Sequence, residues 1–458
     1  MDVELVVTKG LGDNSYLVAS GDEAAVIDPQ RDAGRFLAAA DTHGWTIRHV
    51  LETHVHNDYV SGALEIRSAT RAEVAGPADA GYRFPFRPMR EGDEIAFGNL
   101  RLVAMETPGH TPEHTAYLAY AGEEQAPAAA FTGGSLMVGG AGRTDLLGMD
   151  RADELTRAQY RTLHRLAALP GDVEVFPTHG AGSFCGAGPA PRERTSTVRH
   201  ELRRNRALTA PDEESFVRQQ LSGLLAYPDY YREMAPINRA GPRVLGGVRL
   251  PPALSAAQAA DRMERGAWLI DARSRSAFAE AHVPGSLNVE LDPAFASYVG
   301  WIVPFDAPLV LILPDPFQEA LREVVTQLVR IGYEHVEGHL VGGMDAWVAD
   351  GREVRSYPTA EPNDLCEAFA AGVRPQVLDV RQRVEWDRGH IPGSTHLFVG
   401  ELPDRLHEIT ENGEVWVICA SGQRSSIAGS ILDRVGVPVR VVTRGGVDDW
   451  LASCGDRG

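Results

Sequence analysis

The second half of the chain is written twice, and no other feature narrows its possible folds as much. Trp268-Leu269-Ile270-Asp271-Ala272-Arg273 is matched by Gln376-Val377-Leu378-Asp379-Val380-Arg381, and His282-Val283-Pro284-Gly285-Ser286 by His390-Ile391-Pro392-Gly393-Ser394, both at an offset of 108 residues. Each copy closes on a Gly-Gly and a Trp, Gly342-Gly343 with Trp347 and Gly445-Gly446 with Trp450, at an offset of 103. Short apolar runs bounded by turn residues and helical stretches make each copy an α/β domain, here bounded as 251–355 and 356–458. At roughly 150 residues per domain, a chain of this length has room for a third in front of them.

That front segment, 1–190, alternates apolar runs such as Ala24 to Ile27 with helical stretches such as Arg35 to His43, a mixed α/β pattern. From Arg192 to Tyr231 the pattern turns helical, with Leu202, Phe216, Leu221 and Leu225 available for an apolar face. Gly and Pro then accumulate from Pro236 to Pro252, so 191–250 reads as a helical extension and linker. The Tyr227-Pro228-Asp229-Tyr230-Tyr231 cluster is expected to pack between domains and to close over the front pocket.

Lys and Arg total 44 against 63 Asp and Glu, a formal charge of -19 that repels a phosphate backbone, so no nucleic-acid partner is expected. No apolar run reaches the roughly 18 to 20 residues of a membrane span, and Met1-Asp2-Val3-Glu4 does not open an export signal. The four cysteines, Cys185, Cys366, Cys419 and Cys454, show no CxxC pairing, so neither a disulfide framework nor an oxidising compartment is expected. A cytoplasmic protein is the expectation, and a homo-oligomer stays open. Cys366 and Cys454 read as structural, and Cys185 as a packed loop cysteine close enough to the front pocket to be a candidate sulfur carrier.

Cys419 differs from the other three. It follows the apolar strand Val415 to Ile418 and opens the loop Cys419-Ala420-Ser421-Gly422-Gln423-Arg424-Ser425 before a helix predicted from Ser426 to Val435. A thiol at a strand end facing a helix N-terminus sits among inward-pointing N–H groups and the positive end of a dipole, which favours the thiolate. This loop, the Asp-Val-Arg after a strand and Gly389-His390-Ile391-Pro392-Gly393-Ser394 resemble the rhodanese family. Its loop is shorter than the one with which tyrosine phosphatases cradle phosphate, which suits sulfur. The resemblance implies that Cys419 takes sulfane sulfur as a persulfide, that Arg424 assists it, and that Ser421, Gly422, Gln423 and Ser425 hold the donor. The first copy has Pro314-Asp315-Pro316-Phe317-Gln318 where the cysteine loop belongs, so a scaffold or interface role is expected of it. His282 and His390 read as structural histidines.

In the front segment, Thr53-His54-Val55-His56-Asn57-Asp58 follows the apolar Val50-Leu51, placing it at a strand end. Thr107-Pro108-Gly109-His110, Phe131-Thr132-Gly133, Gly142-Arg143-Thr144-Asp145 and Pro177-Thr178-His179-Gly180 follow in order. The set resembles the metallo-β-lactamase superfamily, its glyoxalase II and persulfide dioxygenase branches in particular. The fold class implied is α/β throughout: a metallo-β-lactamase αββα sandwich followed by two rhodanese-like α/β domains with central parallel sheets.

By that resemblance His54, His56, Asp58, His110 and His179 are the candidate metal ligands, with His54 and His110 foremost, and Arg143 a candidate anchor for an anionic thiol carrier. Two positions depart from the family: Tyr59 stands where the hydrolases carry a histidine, and Gly134 where both branches place the aspartate that bridges zincs or completes an iron site. A dinuclear centre is therefore not expected. The implied cofactor is a mononuclear Fe(II), with Zn as the alternative and a metal-free pocket as the third reading because Gly134 replaces Asp. The fusion implies a sulfur-metabolism enzyme: a persulfide dioxygenase-like domain coupled to a rhodanese acting on low-molecular-weight thiol persulfides, thiosulfate and acceptor thiols. A glyoxalase II-like thioester hydrolase fused to a rhodanese, or a front domain that only binds persulfides, are the alternatives.

Overall fold

The computed structural model describes residues 1–187, 191–409 and 413–454. It forms two compact units, one of Met1–Arg249 with Thr326–Gly332, the other of Leu250–Val325 with Tyr333–Gly458. Among the described residues no helix is long and apolar enough to cross a membrane.

The front unit is built on two six-stranded sheets. One runs Asp2–Thr8, Asp13–Ser20, Glu23–Ile27, Thr46–Leu51, Glu73–Pro77, Arg87–Met89; the other runs Ser196–Thr197, Glu174–Pro177, Ala129–Gly133, Thr115–Ala121, Leu100–Glu106, Glu94–Phe97. Side chains alternate across a strand, so Tyr16, Val18, Ala25 and Ile27 join Leu102, Tyr117 and Phe131 of the opposite sheet in one core, while Leu17, Val26 and Val50 face the helices Gly34–His43 and Ala63–Thr70. Helix Met149–Ala167 covers the other sheet, with Leu163 and Leu166 inward. Each fully buried ring or branched side chain contributes about 1.5–3 kcal/mol to holding the layers together. The central strands Asp13–Ser20, Glu23–Ile27 and Ala129–Gly133 are buried on both faces, whereas the edge strand Glu94–Phe97 alternates buried and exposed residues.

The parallel strands Glu23–Ile27 and Thr46–Leu51 end on one edge, delivering Asp28 and Thr53-His54; Ala129–Gly133 and Glu174–Pro177, also parallel, deliver Gly134 and His179. The backbone N–H of Asn14 donates to the Thr178 carbonyl at 2.7 Å and brings the two edges together.

The extension departs from its expected outline. It forms helices Val198–Arg204, Glu213–Ser222 and Tyr231–Ala240, the first two capped by Thr197 and Asp212, and the last carries Pro236 inside it, so the linker begins later than the Pro and Gly content suggests. Phe216 is buried, but Leu202 is exposed rather than part of an apolar face. The Tyr227–Tyr231 cluster packs within the front unit itself: Tyr230 donates to the Asp58 carbonyl at 3.0 Å and Tyr227 lies under the Arg143 guanidinium at 4.4 Å.

The rear unit confirms the repeat. Its two five-stranded parallel sheets share one order, Ala253–Leu254, Val336–Leu340, Leu309–Ile312, Trp268–Asp271, Leu287–Asn288 and Thr359–Ala360, Val439–Val442, Val415–Ile418, Gln376–Asp379, Thr395–His396. The repeated Asp-x-Arg is a clasp: Arg273 grips Asp271 and donates to the Ala281 carbonyl, as Arg381 grips Asp379 and donates to the Gly389 carbonyl. The paired histidines are structural, His282 stacked on Phe278 at 4.1 Å and His390 on Trp386 at 3.8 Å. One expectation fails. Cys366 and Cys454 form a disulfide, because helices Pro362–Ala370 and Val447–Cys454 pack side by side although their cysteines lie 88 residues apart in sequence.

Candidate metal centre and cysteine loop

At the edge of the front sandwich His54, His110 and His179 converge, each offering a ligand atom within 4.8 Å of the others'. Their ring centroids stand 4.9, 5.4 and 5.3 Å apart. The outer nitrogen of each ring is already engaged. His54 Nδ1 lies 2.8 Å from Thr53 Oγ1, which itself donates to Asp28; His110 Nδ1 donates to the Arg143 carbonyl at 2.7 Å; His179 Nδ1 donates to Asp13 at 2.9 Å. These partners place a proton on Nδ1 of all three rings and turn the three Nε2 atoms inward. His110 Nε2 is buried with no hydrogen-bond partner among the described residues, and the Nε2 atoms of His54 and His179 face each other at 3.4 Å. A proton on His179 Nε2 bridges that pair, but His110 Nε2 is left as a buried acceptor with no partner among the described residues, which a metal ion would satisfy, so the donor set fits one.

Electrostatics agree. Burial, reinforced by the neighbouring histidines, holds His54 and His110 well below the ordinary imidazole range, keeping them neutral and available as ligands. Burial also acts to lower His179, but Asp58 and Asp13 outweigh it and push His179 up to about 9, so a proton competes there with a metal. Burial and the Asp58 charge push Asp13 up to about 7.

The other two predicted ligands belong to two further groups able to hold an ion, Asp28 with His54 and His56, and His56 with Asp58 and His179. His56 turns Nε2 toward Glu52 at 2.9 Å and Asp28 at 3.2 Å, with the Tyr59 hydroxyl at 3.1 Å, while its Nδ1 is buried without a partner among the described residues. Asp58 Oδ2 lies 3.3 Å from His179 Nδ1, behind that ring rather than beside its inward nitrogen. Arg143 is not an anchor for a carrier. It is buried, donating to both Asp145 oxygens at 2.7 Å and to the carbonyls of Phe184 and Leu225, so the guanidinium is consumed by the protein.

In the rear unit Cys419 ends the strand Val415–Ile418, and the following helix is Gln423–Arg434, three residues earlier in onset than the sequence suggests. The N–H groups of Gly422 and Ser421 point at its Sγ from 3.1 and 3.5 Å. Gly422 is at φ 94°, and a Cβ there would meet the Thr443 carbonyl oxygen at 2.2 Å, so the turn requires glycine. The other loop residues serve different ends. Arg424 forks onto Glu385 at 2.6 and 2.7 Å, Gln423 donates to Asp292 of the first copy at 2.8 Å, Ser421 is exposed, and the buried Ser425 hydroxyl has no hydrogen-bond partner among the described residues.

Comparison with known proteins matches the model of the metallo-beta-lactamase superfamily to residues 8–179 and that of the rhodanese-like domain to residues 255–350 and 362–453. A hydroxyacylglutathione hydrolase of Methylococcus capsulatus is 36% identical over 197 residues, 41% of this chain and 72% of the relative. One from Cereibacter sphaeroides is 36% identical over 185 residues, 39% of this chain and 67% of the relative. The chain belongs to the metallo-beta-lactamase superfamily. Two rhodanese-like domains follow that fold. Among solved structures, a metallo-beta-lactamase from Staphylococcus aureus superposes with a TM-score of 0.66 at 27% identity, covering 74% of this chain and 98% of that one.

Against the metallo-beta-lactamase pattern, Gly134 now has a physical account. A Cβ at 134 would lie 2.2 Å from Cδ2 of His110, so the ring of His110 occupies the room a carboxylate would need. Gly134→Asp is therefore expected to destabilise the front unit by about 1–3 kcal/mol rather than restore a ligand. Urea denaturation alongside metal content checks this; an unmoved midpoint with increased metal would reverse the conclusion. Tyr59, in the place of the hydrolases' histidine, is a buried hydrogen-bonding wall for His56. Asp13, Asp28, Glu52 and His114 were not singled out from sequence. Only His114, four residues after His110, carried a local signal, and its nitrogens are satisfied by Thr107 and by the Gly134 N–H.

Proposed function

We propose that the chain is a sulfur-metabolism enzyme in which Cys419 transfers sulfane sulfur and the front domain acts on the same pool of thiol persulfides. The observation carrying this reading is the cradle of Gly422 and Ser421 N–H groups on Cys419 Sγ, two donors aimed at the sulfur that would attack as thiolate. That thiolate attacks the outer sulfur of a thiol persulfide or thiosulfate. A Cys419 S–S bond forms, the donor S–S bond breaks, and the leaving thiolate or sulfite carries off the electron pair. An acceptor thiolate then attacks the outer sulfur and restores Cys419, so no oxidant is consumed.

In front, His54, His110 and His179 would hold one metal ion, oriented by Thr53, the Arg143 carbonyl and Asp13. Iron there would supply the oxygen chemistry by which the outer sulfur of a persulfide becomes sulfite. One O2 and one water would then be consumed per persulfide, leaving thiol and sulfite, and the chain's own part is to keep His54 and His110 neutral and to hold the ion without a protein carboxylate at 134. Anaerobically iron-loaded protein given glutathione persulfide is expected to consume oxygen and release sulfite at stoichiometric ratio. Loaded protein that consumes none would remove the dioxygenase half of the reading and leave Cys419 untouched.

A second reading is favoured by the hydroxyacylglutathione hydrolases among the relatives: zinc-dependent thioester hydrolysis in front of the same sulfurtransferase. Tyr59 and Gly134 count against it, since hydrolytic hydroxide in such sites is normally held between two ions. Zinc-loaded protein turning over a glutathione thioester would favour it, and failure to retain either metal would leave a persulfide-binding domain.

A further inference from the structure

The cysteine-less copy is expected to be a scaffold, yet one of its arginines reaches the sulfur loop of the other copy. Arg275, at the start of helix Arg275–Glu280, is fixed by Glu290 through Nε at 2.6 Å and donates through Nη1 to the Ser421 carbonyl at 2.6 Å. A trans peptide is a rigid plate on which the carbonyl of one residue and the N–H of the next point in opposite directions. Holding the Ser421 oxygen outward therefore holds the Gly422 N–H inward, where it meets Cys419 Sγ at 3.1 Å. A cation on the carbonyl also polarises the plate and strengthens that N–H as a donor. The loop's own arginine cannot do this, because Arg424 has both terminal nitrogens on Glu385. Room is reserved for the visitor: a Cβ on Gly422 would stand 2.9 Å from Arg275 Nη1.

We propose that the cysteine-less copy is a working part of the sulfurtransferase site, with Arg275 as a positioning residue that orients the Ser421–Gly422 peptide toward Cys419. This rests on the reading of Cys419 as the nucleophile. The charged and titratable groups facing the loop are Arg424 and Glu385 from its own copy, and Arg275, Glu290, Asp292 and Tyr298 from the other. Asp292 anchors the loop a second time by accepting from Gln423.

The test is the pH dependence of thiolate ultraviolet absorbance, taken as the difference between each protein and the same protein carrying Cys419→Ser, which needs no reagent to enter the buried site. Arg275→Ala is expected to move the midpoint up by about one pH unit, about a tenfold loss of thiolate at any pH below the native midpoint, and to lower the rate constant of sulfur uptake there in the same proportion. Arg275→Lys, which keeps a donor and a charge, is expected to recover most of the shift. In Glu290→Gln the plate stays held and the midpoint should not rise; the double variant Arg275→Ala with Glu290→Gln removes the pair without changing net charge, and should rise like Arg275→Ala. A midpoint unmoved by Arg275→Ala, or moved in that variant but not in the double one, overturns the positioning role. A native protein whose difference signal shows no thiolate at any pH where it stays folded removes the nucleophile reading and this inference together.

Discussion

Replacing Cys419 by Ser is expected to reduce sulfane-sulfur transfer from thiosulfate or a thiol persulfide to an acceptor thiol by about a thousandfold or more. The size follows from the geometry. A hydroxyl at that position keeps the cradle but does not ionise near neutral pH, so the attacking group is lost while the loop survives. The Cys419 peptide of the native protein, mass-analysed after donor alone, should carry one added sulfur that acceptor thiol removes. Cys185→Ser should retain the transfer, because that thiol lies in the other unit, buried, with its pKa raised by burial and by the charges of Asp58 and Asp13. Full transfer in the Cys419 variant would leave the rear unit without its assigned chemistry.

The next largest effect concerns the front unit. His110→Ala or His54→Ala is expected to take bound iron or zinc from about one ion per chain to below about a tenth, since each removes one of the three inward nitrogens of the group. Asp13→Asn should act through His179 and weaken binding by about 10–100-fold, the ordinary cost of a lost partner behind a ligand. Metal analysis after reconstitution and dialysis separates the two grades. Undiminished metal in His110→Ala would mean that the ion, if bound, sits among His56, Asp58 and their neighbours instead.

Much of the architecture was open to reading because both halves of the chain repeat themselves or keep ordered motifs. The Asp-x-Arg and His-x-Pro-Gly-Ser pairs at constant offset can only mean two similar domains, and both sheets share one strand order. His54, His110 and His179 were among five candidate ligands because strand-end loops keep such residues in local motifs, although His54 and His110 alone stood foremost and nothing local set His179 above His56 or Asp58. What remained hidden is what depends on partners distant in sequence. Arg143 read as a candidate carrier anchor, and its partners Asp145, Phe184 and Leu225 show instead a buried guanidinium consumed by the protein. Arg424 was expected to assist Cys419, and nothing local foretold that its guanidinium would fork onto Glu385, 39 residues away. Asp13 and Asp28 sit in strands and turns with no motif of their own, and Arg275 belongs to a copy that had lost the obvious marker of activity.

The bond between Cys366 and Cys454 turns the stretch between them, a separation of 88 residues, into a closed hoop on which the reactive sulfur rides. A single cut in an exposed turn of that hoop would open it to a line without shedding a fragment, so the strands on either side of the break would remain tethered within reach of their neighbours. Two cuts would be needed before any part could drift away.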